Sequence, residues 1–573
     1  MSRRPSSNRF VVDAMPYDYS VTIECLASPE RPQYGGGIIV NPELNHGIEG
    51  WASFGGAAFE HRVSLDGNKF IVAHAREKPH SSVSQKAYLD KDLLYTLSSW
   101  IQVSKGNAQV NVVFKTTDGF KHAGGVVAES GCWSMLKGGL TVDSSGFAEL
   151  YFEANDTSVD IWVDSVSLQP FTQEEWSSHQ QQSIEKERKS KVRLQVVDPK
   201  GNPVTGAKVQ FSQLRPGFPL GACINQNILR NSGYQSWFTS RPFTVTVFED
   251  EMKWYSTEYT RGREDYSAAD ALLRFAQQHR LAVRGHNIFW DDQNYQPGWV
   301  KSLAGSDLWA AVNQRVKSVV SRYKGQVIAW DVVNEDLHFH FFEDKLGGDA
   351  SSNFFQKAHQ FDGNAVMFMN EFNTIEDSRD GAVIPLKYLQ KLSQIRSYPG
   401  NQGPTAIGLE GHFTSANIPY MRSVLDTLSH AGVPVWITEL DVAPGPNQAS
   451  YLEQIMREAH AHPAVAGLVL WVAWKPQGCY KMCLTDNNFR NLPTGNVVDN
   501  LIREWGMHNE DSIVGSTDAN GFIETTLFHG EYEVQGVVPY GLADAGVNSS
   551  FSRRITVSAH DDHSTEQIRT ISH

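Results

Sequence analysis

Hydrophobic and polar positions change their period several times along this chain. From Gly35 to Phe171 short alternating runs (FIVAHA, LLYTLSSWIQVS, AQVNVVFKT, AELYFEA, VDIWVDSVSL) are broken by Gly, Asn, Asp and Ser. Alternation punctuated by turn residues predicts an all-β sandwich. The next stretch, QEEWSSHQQQSIEKERKSK, is polar, charged and free of Gly and Pro, and it reads as a solvated helical linker. VRLQVVDPKGNPVTGAKVQF then reads as two strands around a turn, and after about residue 510 GSTDANGFIETTLFHGEYEVQG repeats that pattern. These two pieces read as complementary halves of one small accessory β-domain, split by everything between them; two unrelated β decorations are the alternative.

Within the split, apolar strand-like runs alternate with amphipathic helical stretches. The runs are PLGACIN, TVTVFED, LAVRGHNIF, VIAWDVVNE, AVMFMNEF, AIGLEGHF, VPVWITELDV and AGLVLWVAW. Between them Met421, Val424, Leu425 and Leu428, and elsewhere Leu272, Phe275 and Ala276, recur at spacings of three and four, which gives each helix one apolar face. Eight β/α units over roughly 290 residues predict a closed parallel (β/α)8 barrel. A doubly wound open sheet is the competing architecture, but no strand leads into its glycine-rich nucleotide turn. The chain therefore divides into an N-terminal extension (1–32), a β-sandwich (33–172), a linker helix (173–191), the first part of the accessory domain (192–212), the barrel (213–507) and the rest of the accessory domain (508–573).

Composition narrows the partners. The chain has 573 residues, 50 Lys+Arg against 64 Asp+Glu and a net charge of −14, which disfavours nucleic acid or an anionic membrane as partner. Fifteen Trp, 19 Tyr and 29 Phe supply rings on which sugars stack. No run approaches the roughly 20 apolar residues of a membrane span. MSRRPSSNRFVVDAMPYDYS lacks the apolar core of a secretory signal, which leaves a cytoplasmic location open. Five cysteines, Cys25, Cys132, Cys223, Cys479 and Cys483, do not read as a disulfide framework, although Cys479 and Cys483 could pair across a tight loop. No zinc-type spacing or phosphate-binding glycine loop is present, so no cofactor is expected for catalysis.

A parallel barrel carries its active site at the C-terminal ends of its strands. Two of the predicted strands end in Asn334-Glu335 and in Glu439-Leu-Asp441, which puts two carboxylates on one rim. Glycosidic bond cleavage requires such a pair, one protonated for the leaving oxygen and one ionised for the anomeric carbon. A structural ion pair would give the same two residues. WDVVNE followed by ITELDV, with FEDEMKW, RGHNIFWDDQ and GLEGHF, resembles glycoside hydrolase family 10, the barrel xylanases, through all eight strands. GCYKMCLTDNNFRNLPTG and RPGFPLGACINQNIL resemble its plant endo-1,4-β-xylanases in particular.

That resemblance implies an endo-acting, retaining cleavage of xylan or xylo-oligosaccharides, with Glu335 as acid/base and Glu439 as nucleophile. It places Asn334 against the sugar 2-hydroxyl and His412 against Glu439, with Asp441 orienting the imidazole. Glu249, Asp250, Lys253, His286, Trp290, Gln293, Glu410 and Trp471 match substrate-binding positions, Trp471 as the floor. A transglycosylase using the same glycosyl-enzyme, or a non-catalytic xylan-binding wall protein, is the alternative; loss of either glutamate would favour the latter, and both are present. Asp250, Asp291 and Glu410 depart from the family's usual Asn, His and Gln. A second carboxylate at Glu410 implies that Glu410→Gln moves the acidic limb of the pH–rate profile to lower pH, with Lys253 or His412 the available counter-charges. The sandwich, through HGIEGWASFGG, SSWIQVS, GCWSMLKGGL and VDSVSLQPF, is similar to carbohydrate-binding modules of family 22. Trp100, Trp133 and Tyr151 are its candidate sugar contacts, and Glu43 and Asp164 candidate ligands of a structural calcium. A wall polysaccharide as substrate, with sequons at Asn155 and Asn548, favours an extracellular or cell-wall protein, and a monomer is expected.

Overall fold

The structure is a computed structural model that describes residues 15–507, 512–537, 549–559, 565–569 and 571–572. Residues 1–14 and Asn548 lie outside the described residues. The chain forms two compact units, the first holding residues 15–183 and 418–427, the second the remainder.

In the first unit two five-stranded antiparallel sheets form the sandwich that the alternation predicts. One runs in the order Ala52–Phe54, Ser82–Leu89, Gly146–Glu153, Asn107–Thr116, Gly119–Glu129; the other runs Ala58–Val63, Lys69–His74, Ile161–Phe171, Leu94–Val103, Ser134–Leu140. Leu94–Val103 is buried at all ten positions, so its strict alternation is lost between two covered faces. Residues 15–32 are not a free extension. Leu26 bridges Trp133, and Cys25 is disulfide-bonded to Cys132, which corrects the expectation of mostly unpaired cysteines. The pairing joins residues 107 apart, a separation that alternating patterns cannot reveal.

The linker helix, Gln173–Glu187, starts at a reciprocal cap: the Thr172 hydroxyl accepts from the Glu175 amide, and the Glu175 carboxylate accepts from the Thr172 amide. It ends earlier than the charge pattern suggests, because Lys189–Val197 is already a strand of the accessory domain.

That accessory domain is a discontinuous sandwich. Lys189–Val197 lies between Phe522–Phe528 and Thr565–Arg569, while Lys208–Pro216 lies between Ile513–Ser516 and Gly530–Val537. Leu194, Val196, Val209 and Phe211 from the first half pack with Leu527, Val534, Phe551 and Ile555 from the second. Each half turns on the same device, in which the Asp198 side chain accepts from the Lys200 and Asn202 amides and Asp518 accepts from those of Asn520 and Phe522.

Between the halves stand barrel strands β1 (Leu220–Ala222), β2 (Val245–Val247), β3 (Ala282–Gly285), β4 (Ala329–Asn334), β5 (Val366–Glu371), β6 (Thr405–Leu409), β7 (Val435–Val442) and β8 (Val465–Leu470). All pair in parallel, and β8 pairs with β1, which closes the barrel and removes the open-sheet alternative. Helices supply the apolar faces the spacing predicts: Ser267–Gln278 buries Leu272, Phe275 and Ala276, and Ile418–Ser429 buries Met421, Val424, Leu425 and Leu428. Gly285 in β3 is required by packing, since a Cβ there would sit 2.3 Å from the Trp330 ring of β4.

Candidate active site

At the C-terminal rim, the strands deliver polar side chains into one cleft of about 530 Å³. Its walls include Glu249 and Asp250 after β2, His286 after β3, Asn334 and Glu335 at β4, Glu410 and His412 after β6, Glu439 in β7 and Trp471 after β8. The cleft is polar because charged and amide side chains sit at or just beyond the C-terminal ends of strands whose other residues are largely apolar and buried.

The two carboxyls occupy opposite electrostatic environments. Glu335 sits at φ +61°, in the left-handed region that non-glycine residues seldom enter, and its amide is held by the Asn370 carbonyl at 2.9 Å. Burial, and then the neighbouring carboxylates Glu410, Glu371 and Glu439, push its pKa well above the ordinary value, against a 2.7 Å hydrogen bond from Trp290 Nε1. These surroundings favour the protonated form of Glu335. Around Glu439 burial is outweighed by His286, His412 and Lys253, which pull it down to about 2. These surroundings favour the ionised form of Glu439.

Asn370 is the hub of this arrangement and was not legible as a site residue. Its Nδ2 donates to Glu439 Oε1 at 2.9 Å and to Asn334 Oδ1 at 2.8 Å, while its Oδ1 accepts from Thr438 at 2.5 Å. The available signal was the Asn-Glu pair ending β5, the same pair that ends β4. Glu371 was missed with it; buried, it accepts from the Leu337 amide at 2.8 Å and lies 2.6 Å from His338 Nδ1.

His412 has Nδ1 2.8 Å from Asp441 and Nε2 3.6 Å from Glu439. Burial opposes its charge, but hydrogen bonds to Asp441, Glu410 and Glu439 hold its pKa well above the usual imidazole value. His286 is bound by Asp331 at 2.9 Å and stands 3.7 Å from Glu439. Lys253 has its ammonium 4.5 Å from the centre of the Trp290 ring and 5.7 Å from that of Trp471. It pairs with Asp250 at 3.3 Å, and Lys475 pairs with Glu249 at 2.5 Å. Gln293 is the exception: it is exposed on a short 3-10 turn and is not among the residues lining the cleft. Asp291 is buried behind the rim and accepts from the Phe342 amide at 3.0 Å.

Glu410 changes the pH expectation. Burial, then the charge on Glu439, push it up to about 8, although His412 lies 3.3 Å away. Below that pH it is neutral and adds no charge beside Glu439, so Glu410→Gln should leave the acidic limb of kcat/KM in place. Above it, an ionised Glu410 helps to keep the proton on Glu335. Removing that charge lets Glu335 deprotonate sooner, and the alkaline limb should move to lower pH. A profile on a soluble oligosaccharide whose acidic limb moves instead would mean that Glu410 is ionised in the working enzyme.

In the sandwich the sugar-contact candidates are corrected. Trp100 is buried, Trp133 packs edge-on to Phe70 at 5.3 Å, and Tyr151 is stacked on Phe54 at 3.9 Å. A ring with no face open to water cannot receive a sugar. In the same sheet as Tyr151, Phe120 is 61% and Phe147 73% exposed. Asp164 is buried and pushed up to about 7, by desolvation first and then in part by Glu43. Carboxylate oxygens are the donor type a hard cation takes, and among the described residues neither Glu43 nor Asp164 forms a salt bridge.

Residues 212–494 match glycosyl hydrolase family 10. Endo-1,4-beta-xylanase 5 of Arabidopsis thaliana is 42% identical over 481 residues, spanning 83% of this chain and 84% of its own length. Endo-1,4-beta-xylanase 5-like of the same plant is 38% identical over 559 residues, 96% of this chain and 94% of its own. Among solved structures, the CBM22-1–GH10 modules of endo-1,4-beta-D-xylanase 10B from Clostridium thermocellum, complexed with xylohexaose, cover 81% of this chain and 97% of theirs at 16% identity, with a TM-score of 0.41.

Proposed function

This chain belongs to glycosyl hydrolase family 10, and from that premise we propose that it is an endo-1,4-β-xylanase cleaving internal xylosidic bonds of xylan by double displacement. The observation that carries the mechanism is the opposed protonation of two carboxyls on one rim, Glu335 neutral and Glu439 ionised. Glu439 attacks the anomeric carbon while Glu335 gives its proton to the departing glycosidic oxygen. Glu335, now a carboxylate, takes a proton from water, which displaces Glu439 from the glycosyl ester and regenerates both groups. Following reducing-end release from xylan and the anomer first formed tests this, since double displacement yields the β-anomer. An α-anomer as first product would exclude a covalent Glu439 intermediate.

No helix among the described residues is long and apolar enough to cross a membrane. Two disulfides and an exposed Asn155 sequon support an extracellular or wall enzyme, as does the polysaccharide substrate. We assign polysaccharide binding to the sandwich, with Glu43 and Asp164 holding a structural calcium. An enzyme lacking residues 1–172 should keep its turnover of short xylo-oligosaccharides and lose retention on insoluble xylan, while calcium should raise the melting temperature of the whole chain only. Equal retention by the truncated enzyme would remove the sandwich from substrate binding.

A further inference from the structure

After Trp471 the chain leaves the barrel in an irregular loop, within which Cys479 and Cys483 are disulfide-bonded. Only Tyr480, Lys481 and Met482 lie inside this small ring, and the three have different surroundings. Met482 is buried and anchors the ring from below. The Lys481 ammonium donates to the His412 carbonyl at 2.9 Å, and the Lys481 carbonyl accepts from Gln448 Nε2 at 3.2 Å. Tyr480 is 70% exposed, lines the catalytic cleft and stands edge-on to His412, with ring centres 5.5 Å apart. His412 in turn touches Glu439.

We infer that Tyr480 is a sugar-stacking residue of this cleft and that the Cys479–Cys483 disulfide is the device that presents it. A ring this exposed has little packing of its own to fix it, and the loop enters the bridge through Gly478, at φ +98°. The covalent ring and the Lys481 tether supply the position that packing does not. A pre-positioned aromatic face binds a pyranose at lower entropic cost than one that must be ordered on binding. Cys479 and Cys483 are thus positioning residues that act through Tyr480.

The inference rests on xylan as substrate, and xylohexaose separates the two questions. Tyr480→Ala should lower kcat/KM on xylohexaose about tenfold, the loss of one ring contact worth roughly 1.4 kcal/mol. Tyr480→Phe should recover most of it, because the face remains. The double variant Cys479→Ser/Cys483→Ser should show part of the Tyr480→Ala loss. Added to Tyr480→Ala, it should cost nothing further, since coupled residues do not lose independently. Wild-type rates for Tyr480→Ala would overturn the stacking role. Losses that multiply in the triple variant would overturn the role of the disulfide, which would then act on the fold rather than on the ring. Failure of the unmodified enzyme to cleave xylohexaose would instead refute the substrate.

Discussion

Glu439→Ala yields a folded protein whose turnover of xylan falls on the order of 10⁵-fold, the scale seen when a covalent nucleophile is removed. Its neighbours show why no other group substitutes. Asn370 and His412 converge on this carboxylate from β5 and β6, and His286 and Lys253 complete the cationic surround that holds it ionised. Glu410, the nearest alternative, is neutral below about pH 8. The space left by the deleted carboxylate admits azide, which should attack from the same face and give a glycosyl azide of inverted configuration. Near-normal activity in the purified variant would remove Glu439 from the mechanism and leave the barrel as a binding scaffold.

Glu335→Ala should lose roughly 10²–10⁴-fold on xylan, the usual contribution of a general acid–base. The size of the loss should depend on the leaving group. A nitrophenolate departs without a proton, so the first step on a nitrophenyl xylobioside should proceed and the glycosyl ester of Glu439 should accumulate, seen as a burst of nitrophenol. Azide should then release the ester with retained configuration, opposite to its effect in Glu439→Ala. A uniform loss on both substrates, without a burst, would show that Glu335 positions substrate instead of moving the proton. The two azide products together separate the roles of two residues that share a residue type and a rim.

How far the sequence could be read differs from one feature to the next. Eight barrel strands were legible because each is a short apolar run, and helices with apolar repeats at three and four stand between them. Glu335 and Glu439 were legible as chemistry because they end such runs. Asn370 was not, although it ends a run as well: an asparagine carries no charge and signals nothing until its amide is seen between Glu439 and Asn334. Trp100, Trp133 and Tyr151 are covered by residues remote in sequence, Phe70 at Trp133 and Phe54 over Tyr151, which a local pattern does not show. Local patterns also could not pair Cys25 with Cys132 or orient Tyr480, since each depends on contacts remote in sequence.

By itself, the sequence determined the barrel, the split accessory domain and the two carboxyls, since periodicity and strand-end chemistry are local properties of the chain. Only the tertiary structure decided which carboxyl is ionised. Burial acts on both glutamates in the same direction. The difference arises because folding sets His286, His412 and Lys253 around Glu439, and Glu410 and Glu371 around Glu335. Electrostatic energy falls with distance in space, and residues 75 positions apart in sequence, such as Glu335 and Glu410, become neighbours only when the barrel closes.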